Sequence, residues 1–284
     1  MRRRGAFFLT FGLVLGLAAL AGSALPASAA AGTYVALGDS YTSGPLILPV
    51  SATAPASCLQ SAVNYPHLTA SALGLSLDDV SCSGATVSDL TQSQASGVAP
   101  QFDALSASDS VVTIGIGGND NSLFTSAAED CAELDVIDPF NIGAPCQSKY
   151  GSQFADGIAA DAPAVGAALA QVHVLAPNAQ VFIVGYPDLL PQSGNCFTHL
   201  TVTSGDVAYL NGIEQDLNAM LSQEAAANGA TFVDTYDPSI GHDLCQSEST
   251  RWIEPLIPDS PAAPLHPNAT GEAEMAQFVE AAIG

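Results

Sequence analysis

The sequence predicts an α/β fold with three layers, in which a doubly wound parallel sheet carries helices on both faces. Short apolar runs rich in β-branched residues recur along the chain, and segments with helical periodicity separate them. Most of these runs lack polar alternation, which is typical of parallel strands buried on both faces. An alternation of such strands with helices favours a parallel sheet over a barrel or a sandwich.

About five strands are expected. Four runs stand out, at residues 34–37, 111–116, 181–184 and 231–233, and residues 77–81 form a weaker candidate. Each of the four ends in a glycine or in an acidic turn. In folds of this kind ligands bind beyond the carboxyl ends of the strands, so the residues that follow these runs are the first place to look for chemistry.

Three helices can be predicted from their apolar spacing. Residues 206–229 place six apolar side chains on one face: Val207, Leu210, Ile213, Leu217, Met220 and Leu221. Gly229 ends this helix. A second helix contains Val165, Leu169 and Val172 and ends before Pro177, and a third begins at the N-cap residue Asn268 and extends to about Ala282. Pro, Ser and Ala dominate residues 43–58 and 253–265, which are predicted to be loops.

The N-terminus resembles a secretory signal peptide. Arg2, Arg3 and Arg4 precede an apolar core at residues 6–20, and Ala27-Ser28-Ala29 forms an A-x-A cleavage site. The apolar core is short for a membrane anchor. We expect a signal peptide at residues 1–29, cleavage near residues 29–31, and one exported domain of about 255 residues at 32–284, without a stable membrane anchor.

The mature chain is strongly acidic. Loss of the three N-terminal arginines leaves two basic residues, Lys149 and Arg251, against 28 acidic ones, a net charge of −26. This charge repels phosphate backbones and excludes nucleic acid as a partner. The hydrophobic fraction of 48% is too high for a disordered acidic chain.

An even number of cysteines after a signal peptide predicts three disulfides. The six are Cys58, Cys82, Cys131, Cys146, Cys196 and Cys245. About fifteen pairings are possible. We favour the sequential one, 58–82, 131–146 and 196–245, because each pair brackets one loop-rich segment. Metal ligation is the alternative, and the sequence contains no C-x-x-C motif to support it.

Ser40 directly follows the first predicted strand, in VALGDSYTSGP at residues 35–45. A serine hydroxyl becomes a nucleophile only when a base lies within hydrogen-bond reach and donors face the developing oxyanion. His266, in PLHPNATGEAEM, lies on a loop just before a helix, where a positioned base would lie. A lone serine after a strand is more commonly a turn residue or a helix cap.

Two further residues follow predicted strands. Asn119, in VTIGIGGND, offers an amide that can donate to an oxyanion, and an Asx-turn is its ordinary role. The glycines before it do not complete a dinucleotide-binding fingerprint, since Asp120 occupies the last glycine position. Gly84, in SCSGATVSD, can present a backbone N–H, although a plain turn glycine would look the same.

Taken together these segments resemble the SGNH hydrolases, also called the GDSL esterase/lipase family. Gly38-Asp39-Ser40, Gly84, residues 117–120 (GGND) and His266-Pro267 occur in the order and approximate spacing of the four motif blocks of that family. The early GDSY, the cysteines and the W-x-E-P segment at residues 252–255 are most similar to its secreted actinobacterial lipases and esterases. The resemblance implies a flavodoxin-like order of strands.

The resemblance also implies roles for single residues. Ser40 would be the nucleophile and His266 the base, and the N–H groups of Ser40 and Gly84 with the Asn119 side chain would form the oxyanion hole. Most of the family places an aspartate three residues before the histidine, where this chain has Ala263. We therefore expect a Ser–His dyad whose histidine is oriented by the backbone carbonyl of Ala263 or Pro264.

Asp259 is the nearest acid upstream of the histidine and is the alternative orienting group.

The acidic segment 129–138 could bind calcium, but it lacks the EF-hand spacing, and a solvated loop is favoured. No metal or cofactor is expected.

The implied activity is hydrolysis of carboxylic esters through a covalent acyl-enzyme by a secreted monomer, with fatty-acyl lipids as substrates. Carbohydrate acetylesterase activity and a non-catalytic binding role are the alternatives. Two apolar segments beside the expected site either form an acyl groove or a lip in transient contact with lipid, or pack into the domain; they comprise Leu46, Ile47, Leu48, Val50, Leu256 and Ile257.

Overall fold

Five parallel strands form the central sheet. The computed structural model describes residues 32–123, 126–136, 140 and 142–284, so the predicted signal peptide and its cleavage site lie outside the described residues. The strand order β2-β1-β3-β4-β5 confirms the predicted α/β fold and its flavodoxin-like topology. The strands are β1 (Thr33–Gly38), β2 (Ser76–Asp79), β3 (Val111–Gly115), β4 (Gln180–Val184) and β5 (Thr231–Val233).

Helices connect and cover the strands. They are α1 (Ser40–Ser43), α2 (Tyr65–Leu73), α3 (Cys131–Asp135), α4 (Pro145–Tyr150), α5 (Gln153–Leu175), α6 (Ser204–Ala227), α7 (Tyr236–Ser239) and α8 (Ala269–Ile283). Short 3₁₀ turns lie at Ala56–Cys58, Val87–Leu90, Gln101–Ala104 and Asp120–Ser122, and a π-helical turn lies at Ser126–Asp130.

The three predicted helices correspond to α5, α6 and α8. Asn268 caps α8 as predicted, because its side-chain oxygen accepts hydrogen bonds from the N–H groups of Thr270 and Gly271. By length and composition α5 could cross a membrane. Its apolar stripe, which includes Leu169 and Val172, is instead buried in the core between the sheet and α6.

Alternate residues of each strand face opposite layers. Val35 and Leu37 pack into the larger core cluster, with α5 and α6, whereas Tyr34 and Ala36 pack into the other one, with α2 and α8. The central strands are therefore apolar on both faces, as the lack of alternation predicted. The edge strand β2 is partly exposed, and it was accordingly the weakest of the strand predictions.

The connections out of β1 place the topological switch between β1 and β3. The chain leaves β1 toward β2 on one side and returns to β3 on the other side. The carboxyl ends of β1 and β3 therefore border a crevice, the usual place for a ligand in this fold. Gly38 ends β1 here with φ +152°, and a Cβ at this position would lie 2.7 Å from the carbonyl oxygen of Gly115. Only glycine permits so close an approach of the two strand ends.

The structure pairs the six cysteines in sequential order, Cys58–Cys82, Cys131–Cys146 and Cys196–Cys245. The first disulfide joins the loop after α1 to the segment that follows β2. A backbone hydrogen bond from Ser83 N–H to the Cys58 carbonyl reinforces this junction. Two of the loops that border the crevice are thereby tied to each other.

Candidate active site

Ser40 occupies the first position of α1, at the carboxyl end of β1. The side chain of Asp39 caps this short helix, since its Oδ1 accepts a hydrogen bond from the N–H of Tyr41 at 2.9 Å. The backbone N–H of Asp39 donates to the carbonyl of Gly115 at 2.9 Å, which fastens the turn to β3. Ser40 is thus held, only 7% exposed, at the switch point of the sheet.

The hydroxyl of Ser40 lies in hydrogen-bond contact with His266, which comes 226 residues later in the chain. The Oγ–Nε2 distance is 2.7 Å. On the other side of the ring, Nδ1 lies 2.7 Å from the carbonyl oxygen of Pro264. A carbonyl can only accept, so Nδ1 carries the proton and Nε2 is left as the acceptor for the serine hydroxyl.

The loop that carries His266 is organised by one buried carboxylate, that of Glu254. It accepts hydrogen bonds from the side chains of Arg251, Ser260 and Asn268. The backbone N–H of Glu254 donates to the carbonyl of His266 at 2.9 Å. Burial alone would raise the pKa of Glu254, but these hydrogen bonds outweigh it and lower the pKa to about 2. Glu254 therefore stays ionised across the range in which a histidine titrates.

Gly84 and Asn119 line the same cleft as Ser40. One hydrogen of the Asn119 amide donates to the carbonyl of Ala85 at 3.0 Å, which ties the segment after β3 to the one after β2 and leaves the second hydrogen for another acceptor. Within the described part of the chain, the backbone N–H groups of Ser40 and Gly84 have no hydrogen-bond acceptor. Three donors from three segments thus border one cleft.

Tyr186 joins the first and third of these segments beneath the cleft. Its hydroxyl donates to Oδ2 of Asp39 at 2.5 Å and accepts the backbone N–H of Gly118 at 2.9 Å. Asn218 on α6 fixes the backbone of Tyr186 through hydrogen bonds with both its N–H and its carbonyl. A single side chain thereby couples the serine turn to the glycine-rich turn that precedes Asn119.

Burial shifts the pKa of the titratable groups around the cleft. It lowers the pKa of His266 below its usual value, and the hydrogen bond to Pro264 opposes this only in part. Burial raises the pKa of Asp39 to about 7. It also raises the pKa of Asp120, whose carboxylate accepts the backbone N–H of Val87, to about 6. The site therefore holds a histidine that favours its neutral form.

The cleft has a volume of about 220 Å³, and Ser40, Gly84, Asn119, Leu189, Pro264 and His266 are among the residues that line it. A narrower apolar pocket of about 30 Å³ shares Ala128 and Leu189 with the cleft, and its wall includes Leu190, Leu200, Leu210, Ile213 and Glu214. Burial raises the pKa of Glu214 well above its ordinary value, which favours the neutral form of this carboxyl. The other residues that line the side pocket are apolar.

The three candidates for orienting His266 differ in what they contact. The carbonyl of Pro264 meets Nδ1, whereas the carbonyl of Ala263 accepts the backbone N–H of His266 at 3.3 Å. Asp259 is ion-paired with Arg251, and its side chain is 57% exposed. Of the two carbonyls and the carboxylate considered from the sequence, only Pro264 contacts the imidazole.

No three His, Cys, Asp or Glu side chains come together in a way that could hold a metal ion in the part of the chain that the structure describes. Glu129, at the start of the acidic segment considered for calcium, instead lines the cleft. Asp138, at the other end of that segment, lies outside the described residues.

The sequence analysis did not single out Tyr186 or Glu254. Tyr186 follows β4 at the same edge of the sheet as Ser40 and Asn119, so its position after a strand was a usable signal. Glu254 belongs to the W-x-E-P segment, but nothing in that segment indicates which groups its carboxylate accepts from.

The two apolar segments considered from the sequence are only partly buried: Ile47 is buried, whereas Leu48 and Ile257 are exposed.

Comparison with known proteins places this architecture among lipases. The family described as GDSL-like Lipase/Acylhydrolase matches residues 36–273. Lipase 2 of Streptomyces coelicolor is 43% identical over 278 residues, which cover 96% of this chain and 93% of that protein. The crystal structure of phospholipase A1 from Streptomyces albidoflavus aligns with a TM-score of 0.73 and 28% identity, over 89% of this chain and 99% of that one. The extracellular lipase of Streptomyces rimosus aligns with a TM-score of 0.72 and 26% identity, over 89% of this chain and all (100%) of that one.

Replacing Tyr186 by phenylalanine should weaken both the fold and the site. The change leaves Oδ2 of Asp39 and the N–H of Gly118 buried without their partner, which costs roughly 1–3 kcal/mol in the free energy of unfolding. We expect urea denaturation to show this loss. Labelling of Ser40 by a fluorophosphonate should also slow, because the turn that holds Ser40 is no longer tied to Gly118, by about tenfold for each 1.4 kcal/mol added to the activation free energy of labelling.

Tyr34→Phe is the matched control. It also removes a buried tyrosine hydroxyl, which is hydrogen-bonded to Thr113 at 2.8 Å, but on the opposite face of the sheet. This variant should lose stability and keep the labelling rate of Ser40. Equal labelling rates in both variants would contradict a positioning role for Tyr186.

Proposed function

The chain belongs to the GDSL-like lipase/acylhydrolase family of carboxylic ester hydrolases, and we propose that it cleaves fatty-acyl esters through a dyad of Ser40 and His266. The observation that carries this proposal is the 2.7 Å contact between Ser40 Oγ and His266 Nε2, at the floor of a cleft bordered by Gly84 and Asn119. A hydroxyl, a base and converging donors are the minimal requirements for acyl transfer.

The reaction would run in two steps. His266 Nε2 accepts the proton of Ser40 as Oγ attacks the ester carbonyl, and it returns this proton to the leaving alcohol when the tetrahedral intermediate collapses to the acyl-enzyme. Water then attacks the acyl-enzyme, giving its proton to Nε2, and the acid is released as Ser40 regains its proton. No metal or cofactor takes part in these steps.

The negative charge of each tetrahedral intermediate would fall on the carbonyl oxygen, toward three donors. These are the backbone N–H groups of Ser40 and Gly84 and the amide hydrogen of Asn119 that does not donate to Ala85. Each donor of this kind is worth about 3–4 kcal/mol of transition-state stabilisation in a well-studied serine protease. The hydrogen bond to Ala85 supports this assignment, because it fixes the amide before substrate binds.

The proposed orienting group of His266 is the carbonyl of Pro264 rather than a carboxylate. It holds the imidazole in the tautomer that a general base needs, with Nε2 unprotonated. Asp259 has no part in this proposal, because its carboxylate is engaged by Arg251.

The proposed substrates are fatty-acyl esters, including those of glycerophospholipids. The side pocket, whose lining is apolar apart from Glu214, shares Ala128 and Leu189 with the cleft, so an acyl chain that lies in the cleft can extend toward it. An acetyl group would leave this pocket unused, so the pocket favours an acyl chain over the carbohydrate acetylesterase alternative. The relatives described above are likewise named as lipases and as a phospholipase A1.

We also propose that the protein acts outside the cell as a monomer that meets lipid only transiently. The signal-like N-terminus supports export, and so do the three disulfides, which form in oxidising compartments. The similar lipase of Streptomyces rimosus is described as extracellular.

The first test is hydrolysis of p-nitrophenyl esters from acetyl to palmitoyl by the secreted protein and by Ser40→Ala. We expect the variant to lose at least about 10³-fold in kcat/KM, as other serine hydrolases do without their nucleophile. The chain-length optimum of the parent should lie at about eight carbons or more if the side pocket holds an alkyl chain. An optimum at acetyl would support the acetylesterase, and no Ser40-dependent hydrolysis of any ester would refute the proposal.

Asp259→Asn should leave the activity nearly intact. Loss of a true triad aspartate costs about 10⁴-fold in a serine protease, whereas loss of the exposed Asp259 carboxylate, which leaves Arg251 paired with Glu254, should change kcat/KM by less than about threefold. Thermal unfolding of the same variant controls for a loosened loop. A drop in kcat beyond about a hundredfold with an unchanged melting temperature would identify Asp259 as a functional third member.

The activity should rise with pH and level off earlier than an ordinary histidine would allow. Neutral His266 is the active form, and burial lowers its pKa, so kcat/KM should reach half of its plateau below pH 6.5. Asp39, with a pKa of about 7, is the other buried group that titrates nearby. A midpoint near 7 that disappears in Asp39→Asn would assign the titration to Asp39 instead.

A further inference from the structure

A charge-free segment follows the serine. Residues 40–77 contain no Asp, Glu, Lys or Arg. With 28 acidic and five basic residues in 284, a stretch of 38 positions would carry about four charged residues on average. Residues 255–258 and 260–271, on either side of Asp259 and before Glu272, are also free of charge. The charges of this very acidic chain thus avoid the two segments that carry Ser40 and His266.

Within these segments six large apolar side chains are exposed: Leu59 (42%), beside the 3₁₀ turn at Ala56–Cys58, and a set of five in the loops next to Ser40 and before His266. Ile47 is buried and anchors its loop in the domain, but its neighbours are not buried. We use the term apolar rim for the exposed set, with the exposed fraction of each: Leu46 (47%), Leu48 (66%), Val50 (54%), Leu256 (44%) and Ile257 (82%). Single exposed apolar residues are ordinary on protein surfaces, whereas a group of them marks a site of interaction.

Both parts of the apolar rim are anchored to the segment that carries His266. The carbonyl of Pro45, next to Leu46, accepts the backbone N–H of Ala263 at 2.9 Å. Glu254, two residues before Leu256, exchanges backbone hydrogen bonds with Leu265 and His266. Pro264, Leu265 and His266 in turn line the cleft. The two loops that carry the apolar rim are therefore fixed to the segment that lines the cleft.

We infer that the apolar rim docks the protein on the surface of a neutral or zwitterionic lipid aggregate, so that an ester in that aggregate can enter the cleft. This inference rests on the proposed function. The mature net charge of −26 would repel an anionic lipid surface, and the absence of charged residues from 40–77 removes that repulsion only locally. A lipid surface also accounts for the attachment of the apolar rim to the segment that lines the cleft, because the substrate and the docking surface are then the same body.

Two substitutions in the apolar rim test this inference. Leu48 and Ile257 are the most exposed of its members, and transfer of such side chains from water to an apolar phase is worth roughly 1.5–3 kcal/mol each, which is about tenfold or more in affinity. The double variant Leu48→Ser/Ile257→Ser should bind phosphatidylcholine vesicles at least about tenfold more weakly in a flotation assay. Its kcat/KM for soluble p-nitrophenyl butyrate should stay within about twofold of the parent, and its rate on the vesicles should fall with binding.

Val174→Ser is the matched control. Val174 is 70% exposed and lies in the last turn of α5, just before β4 begins and hence at the opposite edge of the sheet from Ser40. This variant should bind vesicles as the parent does. Vesicles that contain phosphatidylglycerol should bind the parent less well than pure phosphatidylcholine.

Three results would overturn the inference. They are equal vesicle binding by the double variant and the parent, an equal loss of binding in Val174→Ser, and a dimer of the parent that the double variant dissolves, which would assign the apolar rim to a second copy of the chain. Failure of the proposed function has a different signature, since the parent would then hydrolyse no soluble ester while its vesicle binding could still be measured.

Discussion

The geometry of the site depends on the ionised carboxylate of Glu254. Residues 32–284 contain only two basic residues, and the structure places one of them, Arg251, in the interior against Glu254. The side chains of Ser260 and Asn268 also donate hydrogen bonds to this carboxylate. These bonds hold the loop between Glu254 and α8 around it. His266 lies in this loop. The position of this imidazole, 226 residues from Ser40 in the chain, thus follows from a local network rather than from contact with Ser40 alone.

The Glu254 network loses its stabilising effect as the pH falls, whereas four other buried carboxyl groups destabilise the fold as the pH rises. The pKa of Glu254 is lowered from 4.5 to about 2, so its stabilising effect is complete above pH 4.5 and is lost as the pH falls toward 2. Burial raises the pKa of Asp39 and Asp188 to about 7, and it raises that of Glu214 and Glu272 further. Ionisation of these four groups as the pH rises therefore lowers the free energy of unfolding. Burial therefore favours the neutral form of these four carboxyl groups.

The sequence predicted the sheet well because its central strands are buried on both faces, and burial leaves an unbroken apolar run that is easy to recognise. The sequence also predicted that Ser40, Gly84, Asn119 and His266 lie close together, because each of them follows a strand or precedes a helix. In a parallel sheet the topology determines at which edge such a residue lies. The loops were less predictable. Side-chain direction in an irregular loop has no period, so the burial of Ile47 beside exposed Leu48 could not be read from the sequence. For the same reason the choice between Ala263 and Pro264 remained open until the backbone was known.

A carbonyl in place of the family's usual aspartate is consistent with the electrostatics of this chain. An ionised carboxylate at Nδ1 would stabilise the imidazolium and raise the pKa of His266, adding to any negative charge on Asp39 nearby. The neutral carbonyl of Pro264 fixes the same tautomer with far less effect on the charge state. Burial then dominates, and the pKa of His266 lies below its usual value rather than above it. The imidazole of His266 thereby favours its unprotonated form near neutral pH, although the chain is strongly acidic.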